Sequence, residues 1–169
     1  MKRIPSRAWV DAFCGSRATL WQRIAGILSP VLLAGTVVFI ALRWRYLPEQ
    51  VPTNYNFAGE ITNYGSRWTL LIMPIIGFLV DITVAITMRF PQSWNAGVRI
   101  TVYNRVRVYR VLRDFMAELR LCCALLFVFI SVWICLTPEH MPSWVLLTVT
   151  FLLILAPMIR YFVRVARAR

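Results

Sequence analysis

The sequence predicts an all-α integral membrane protein: a bundle of four transmembrane helices, both termini cytoplasmic, with an ordered external loop between the first two. Three observations predict it. The 169-residue chain is 59% apolar with a mean hydropathy of +0.64, which places it among membrane proteins. Four apolar runs, 24–42, 68–88, 121–137 and 141–159, each reach or approach the roughly 20 residues that cross a hydrocarbon core as a helix. The positive charges fall almost entirely outside those runs and are unevenly shared between the two sides.

That unevenness sets the expected orientation. Lys2, Arg3, Arg7, Arg17 and Arg23 precede the first span, Arg89, Arg99, Arg105, Arg107, Arg110, Arg113 and Arg120 lie between spans two and three, and Arg160, Arg164, Arg167 and Arg169 follow span four. Only Arg43, Arg45 and Arg67 fall on the other side. The arginine-rich side is therefore expected in the cytoplasm. Topology accounts for the net charge of +12, so nucleic acid is not the expected partner. The bilayer is.

The elements follow as one membrane domain over 1–169. Residues 1–23 mix Trp9, Val10, Phe13, Leu20 and Trp21 with arginines, a composition for an interfacial cytoplasmic segment that is retained rather than cleaved. Span one, 24–42, contains Pro30 and Gly35, tolerated in a membrane helix where neighbours satisfy the freed backbone. The external loop, 43–67, holds two prolines, two glycines and three asparagines, which favour a turn-rich ordered structure. Span two, 68–88, carries Asp81, an ionisable residue well inside an apolar run. Such carboxylates face a bundle interior or a watery cavity and mark function.

The connection 89–120 is expected to hold a cytoplasmic amphipathic helix from a Thr101 N-cap, continuous with span three, 121–137. Val108, Tyr109, Leu112, Phe115, Met116 and Leu119 share one face; Arg107, Arg110, Arg113, Asp114, Glu118 and Arg120 share the other,. The basic face, with Arg107, Arg110 and Arg113, suits anionic lipid or a cytoplasmic protein partner. A short external loop, 138–140, span four, 141–159, and a basic cytoplasmic tail, 160–169, complete the chain. Trp44, Tyr46, Trp68, Trp133 and Trp144 mark span ends as an aromatic belt. Gly26, Ala34 and Gly35 offer small residues for homo-oligomer contacts.

No enzyme signature is present: no phosphate loop, no Gly-x-Ser-x-Gly elbow and no His-Glu-x-x-His helix,. No cofactor or metal is expected, since His140 stands alone. Cys122, Cys123 and Cys135 fall in span three and Cys14 in the N-terminal segment, so no disulfide framework is implied.

In the loop, Leu47-Pro48-x-x-Val51-Pro52-Thr53-x-x-Asn56-x-x-Gly59-Glu60-x-x-x-x-Gly65-Ser66 resembles the membrane domain of unknown function at the N-terminus of SdpI-like bacterial immunity proteins. The resemblance continues through Asn95-x-x-Val98-x-Ile100-Thr101-x-x-Asn104 and Tyr109-Arg110, covering residues 43–125. It implies a multi-pass protein of the bacterial inner membrane whose loop recognises an extracytoplasmic ligand or peptide, through Pro48, Pro52, Asn54, Asn56, Gly59, Glu60, Gly65 and Ser66. Many family members carry histidine where this chain has Asn54 and aspartate where it has Asn63, and an amide neither titrates nor binds transition metals well. Glu60 reads first as a turn residue that accepts from local backbone or meets Arg67, and only second as a ligand contact. The other expectation is a small transport or channel component, with Asp81, Pro30, Pro74 and Gly77 lining a path.

Overall fold

The computed structural model describes residue 10 and residues 18–136 and 142–167. The expectations for residues 1–17 of the N-terminal segment, Val10 excepted, for the 138–140 loop with His140 and for the last two residues lie outside. Helix α1 spans Leu20–Arg43. It begins four residues before its apolar run because Thr19 and Gln22 form a capping box. The Gln22 amide donates to Thr19 Oγ1 and the Thr19 amide to Gln22 Oε1, both at 3.3 Å,. Its buried positions, Gln22, Ala25, Ser29, Leu33, Thr36 and Ile40, recur at three and four residues and form one seam.

The chain then forms a β-hairpin, β1 (Gln50–Tyr55) and β2 (Ile61–Ser66), paired antiparallel. This corrects the all-α expectation. Val51, Thr53 and Tyr55, then Ile61, Thr62 and Tyr64, are β-formers on either side of an Asn56–Gly59 turn, and their strand propensity prevails over the prolines. One extra residue interrupts the register on each strand, Thr53 on β1 and Thr62 on β2, which bends the hairpin.

A 3₁₀ turn, Arg67–Leu71, leads into α2 (Ile72–Thr87). After it, residues 88–104 fold back without regular structure except Pro91–Ser93. Helix α3 (Arg105–Cys135) joins the amphipathic stretch and span three in one helix of about 46 Å at the standard rise. The expected continuity holds, but the start does not. Thr101 sits in a turn before the helix, its hydroxyl accepting from the Asn104 amide (3.3 Å) while Asn104 Oδ1 accepts from the Thr101 amide (2.7 Å). Helix α4 (Ser143–Ala166) runs seven residues past the expected end of span four, so most of the expected tail is helical.

Two apolar clusters close the bundle. Ile40, Leu47, Val51, Leu70 and Cys135 pack at the hairpin end. Val10, Trp94, Ala96, Val108, Tyr109 and Leu112 pack at the arginine-rich end, where Trp94 Nε1 donates to the Thr87 carbonyl (2.8 Å) and the Tyr161 hydroxyl to that of Ala96 (2.7 Å). The 88–104 connection is thereby tied to α2 and α4.

Four helical stretches, Leu20–Arg43, Arg67–Thr87, Arg105–Cys135 and Trp144–Ala166, are long and apolar enough to cross a membrane. Their outward faces expose Ile27, Val31, Ile75, Leu79, Phe151 and Leu155 among others, a surface stable in lipid and not in water.

Candidate functional site

Two sites emerge, one at the hairpin end and one within the bundle. At the hairpin end, the resemblance residues divide into those that build the hairpin and those that face open space. Asn56 and Glu60 exchange three bonds, and Gly59 adds a fourth to Asn56. The Asn56 amide donates to the Glu60 carbonyl, the Glu60 amide to Asn56 Oδ1 and Asn56 Nδ2 to Glu60 Oε2, each at 2.9 Å, and the Gly59 amide donates to the Asn56 carbonyl, also at 2.9 Å. Gly59 has φ 85°, a left-handed conformation that a side chain would strain. Gly65 is required by close approach, because a Cβ there would lie 2.6 Å from Thr53 Cγ2. Ser66 starts the 3₁₀ turn, its Oγ accepting from the Trp68 amide (3.5 Å) and its carbonyl from Thr69 Oγ1 (2.8 Å). Pro52 is buried and Pro48 exposed. Trp44 packs against Trp68 with ring centroids 4.8 Å apart and the planes tilted by 59°, and the Arg67 guanidinium lies 5.0 Å from the Trp44 ring, which anchors the hairpin base to both helices.

Beneath the hairpin lies a cleft of about 630 Å³. Its roof is the run from Thr53 to Phe57 together with Thr62, and its walls are Met73 of α2, Ile130 and Ile134 of α3, and Leu146 and Leu147 of α4. Asn54 and Asn56 are the expected ligand residues that line it. Phe57, at the turn, is 97% exposed. The Tyr55 hydroxyl is buried with no hydrogen-bond partner among the described residues, and so is Trp133 Nε1, whose residue precedes Ile134 in sequence but is not part of the cleft lining. Burial, and then the neighbouring Tyr64, push the Tyr55 phenol above its usual pKa. Sequence reasoning missed the helix residues of the cleft, which carry no chemical signature. Its signal was the five-residue run ending in aromatic Phe57.

The second site is the seam around Asp81. Arg120 Nε donates to Asp81 Oδ1 (2.9 Å) and Arg120 Nη2 to Asp81 Oδ2 (2.8 Å), while the Ser29 hydroxyl donates to Oδ1 at 2.6 Å. The side chains of Arg120 and Asp81 are 12% and 7% exposed. This is a bidentate, charge-assisted pair, joining three helices. Pro30 contributes indirectly: it lacks the amide that would bond the Gly26 carbonyl, and Arg120 Nη2 donates a long bond of 3.5 Å to that carbonyl. Pro74 and Gly77 continue the seam, and a Cβ at Gly77 would meet Leu33 Cδ2 at 2.6 Å.

The polar face expected for 101–120 is split. Arg107 and Arg110 are exposed, and Arg107 Nη1 donates to the Arg167 carbonyl (3.4 Å); Arg113 is half-buried. Asp114, Glu118 and Arg120 turn toward the other helices instead. Gln22 Nε2 donates to Asp114 (2.7 Å), Arg164 approaches Asp114 (3.6 Å) and Glu118 (3.8 Å), and Arg160 approaches Glu118 (3.5 Å). Of the small residues in α1, Gly26 faces Arg120 while Ala34 and Gly35 are exposed.

Four membrane-length helices, a hairpin-roofed cleft and a buried ion pair are the features of a small multi-pass membrane protein. Residues 31–78 match the family model of a domain of unknown function, DUF1648. The match takes in the second half of α1, the hairpin and the first half of α2, and stops short of the 79–125 stretch included in the expected resemblance. The chain is also similar to an uncharacterized protein of the archaeon Archaeoglobus fulgidus, 32% identical over 94 residues, covering 47% of this chain and 51% of that one. The chain thus spans about half the length of that relative. No solved structure matches it.

Proposed function

We propose that this chain is a non-enzymatic, SdpI-like protein of the bacterial inner membrane, its termini in the cytoplasm and its hairpin outside, that recognises an extracytoplasmic ligand or peptide in an immunity or signalling role. One observation carries this reading: the motif residues Asn56, Gly59, Glu60 and Gly65 are committed to holding the hairpin rigid over a cleft, which is how a preformed binding surface limits the ordering cost of association. The arginine distribution supports the orientation. On the inner side, Arg107, Arg110 and Arg113 offer contacts to anionic lipid or a cytoplasmic protein.

The test is survival of a toxin-sensitive bacterium challenged with a membrane-active peptide toxin. Wild-type chain should protect, and a Thr62→Trp variant of equal abundance, with the cleft roof filled, should not. Protection undiminished in Thr62→Trp would refute recognition at the hairpin face. No protection by correctly inserted wild type would remove the immunity role.

A further inference from the structure

From the chemistry of the cleft we infer that its ligand is an amphiphile of the adjacent leaflet, an apolar chain with an uncharged head that carries hydrogen-bond acceptors, of the diacylglycerol type. The inference rests on the reading of the hairpin as a ligand-binding element and names the ligand class.

Three observations combine. The volume of about 630 Å³ lies within the roughly 300–1,000 Å³ usual for small-molecule sites. The walls, Met73, Ile130, Ile134, Leu146 and Leu147, come from stretches long and apolar enough to cross a membrane, so a chain can enter sideways from lipid. The roof carries only neutral polar groups, Thr53, Asn54, Asn56 and Thr62, and among the described lining residues none is charged. An anionic head would find no counter-charge here, and a charge moved from water without one is costly.

The orphaned groups supply the polar half of the argument. The Tyr55 hydroxyl and Trp133 Nε1 are both buried donors with no partner among the described residues. Buried polar groups left unpaired cost about 1–3 kcal/mol each, and an indole donates only. Of the two, Tyr55 belongs to the cleft lining, and a ligand bearing ester carbonyls offers the acceptor that its hydroxyl lacks. The two extra residues at Thr53 and Thr62 disfavour the other simple occupant, an added peptide strand, because bulges break the regular ladder such a strand would extend.

The experiment is native mass spectrometry of the full chain in neutral detergent, titrated with dioleoylglycerol, dioleoylphosphatidylglycerol or dioleoylphosphatidylcholine, with thermal unfolding of each variant as the folding control. Wild type should hold one dioleoylglycerol saturably and in preference to both phospholipids. Leu147→Trp, which narrows the wall, should abolish the adduct. Tyr55→Phe, which keeps the ring, should weaken it by several-fold up to about tenfold, the worth of one hydrogen bond. No saturable adduct, an equal adduct in folded Leu147→Trp, or a preference for phosphatidylglycerol would each overturn the inference. If Leu147→Trp cells lose toxin protection while the wild-type chain binds no dioleoylglycerol, the ligand class is overturned and the hairpin reading stands.

Discussion

The pairing of Asp81 with Arg120 can be tested by a double-mutant cycle. Asp81→Leu removes the acceptor of two guanidinium bonds and of the Ser29 hydroxyl, all between 2.6 and 2.9 Å, and strands an arginine whose side chain is only 12% exposed. Stranding one partner of a buried pair costs about 3–5 kcal/mol. Arg120→Leu should cost a similar amount, with the additional loss of the long bond to the Gly26 carbonyl. The double variant leaves no buried charge, and replacing both members of such a pair by apolar groups is often neutral or stabilising. The double should therefore recover most of the loss, a coupling of about 3 kcal/mol or more against the ~0.5 kcal/mol within which unconnected sites add. Unfolding of the four proteins in bicelles, followed by tryptophan fluorescence, measures it. Single losses below about 1 kcal/mol that simply add would refute a structural pair and return Asp81 to the list of groups free for proton or cation work.

Other outcomes follow from the same geometry. Ser29→Ala should destabilise by about 1.5–3 kcal/mol, the range for a bond to a charged acceptor, measured by the same unfolding. Gly77→Leu forces Leu33 and Phe127 apart and should cost at least the ~1–3 kcal/mol of overpacking, visible as loss of folded protein in detergent. Gly65→Val should break the hairpin against Thr53, exposing the loop to proteases that leave wild type intact. Tyr55 is raised above its ordinary value of 10.0 by burial, so the hairpin keeps its full stability below that pH and loses it as pH rises through the raised pKa. A protease-sensitivity profile against pH should show that loss in wild type and not in Tyr55→Phe.

Much of the fold was legible because a bilayer demands so few things of a sequence. Run length marked the four helices, and the absence of Pro or Gly between 101 and 121 marked α3 as continuous. What escaped depended on partners far along the chain. Arg120 reads as a topological charge until α3 is set beside α2, when it lies level with Asp81. Asp114 and Glu118 sit among arginines on a helical wheel, and only the position of α4, with Arg160 and Arg164, shows why they turn inward. The hairpin was masked by Pro48, Pro52 and the glycines, strong turn signals that outweighed short runs of β-formers. Asn56 and Glu60 read as a recognition motif from sequence, whereas their side chains are spent on each other. The walls of the cleft had no local sign, since they are ordinary Met, Ile and Leu drawn from three helices.

The thirty-nine residues that separate Asp81 from Arg120 have a consequence for biosynthesis. When α2 enters the membrane its carboxylate has only Ser29 for company, and an aspartate at mid-helix disfavours insertion by roughly 2.5–3.5 kcal/mol. The guanidinium that compensates it emerges later, at the head of the apolar half of α3. The first three helices therefore form one unit of assembly that is complete only once Arg120 has been made, and a ribosome stalled before that point would leave α2 as the segment most readily rejected by the insertion machinery.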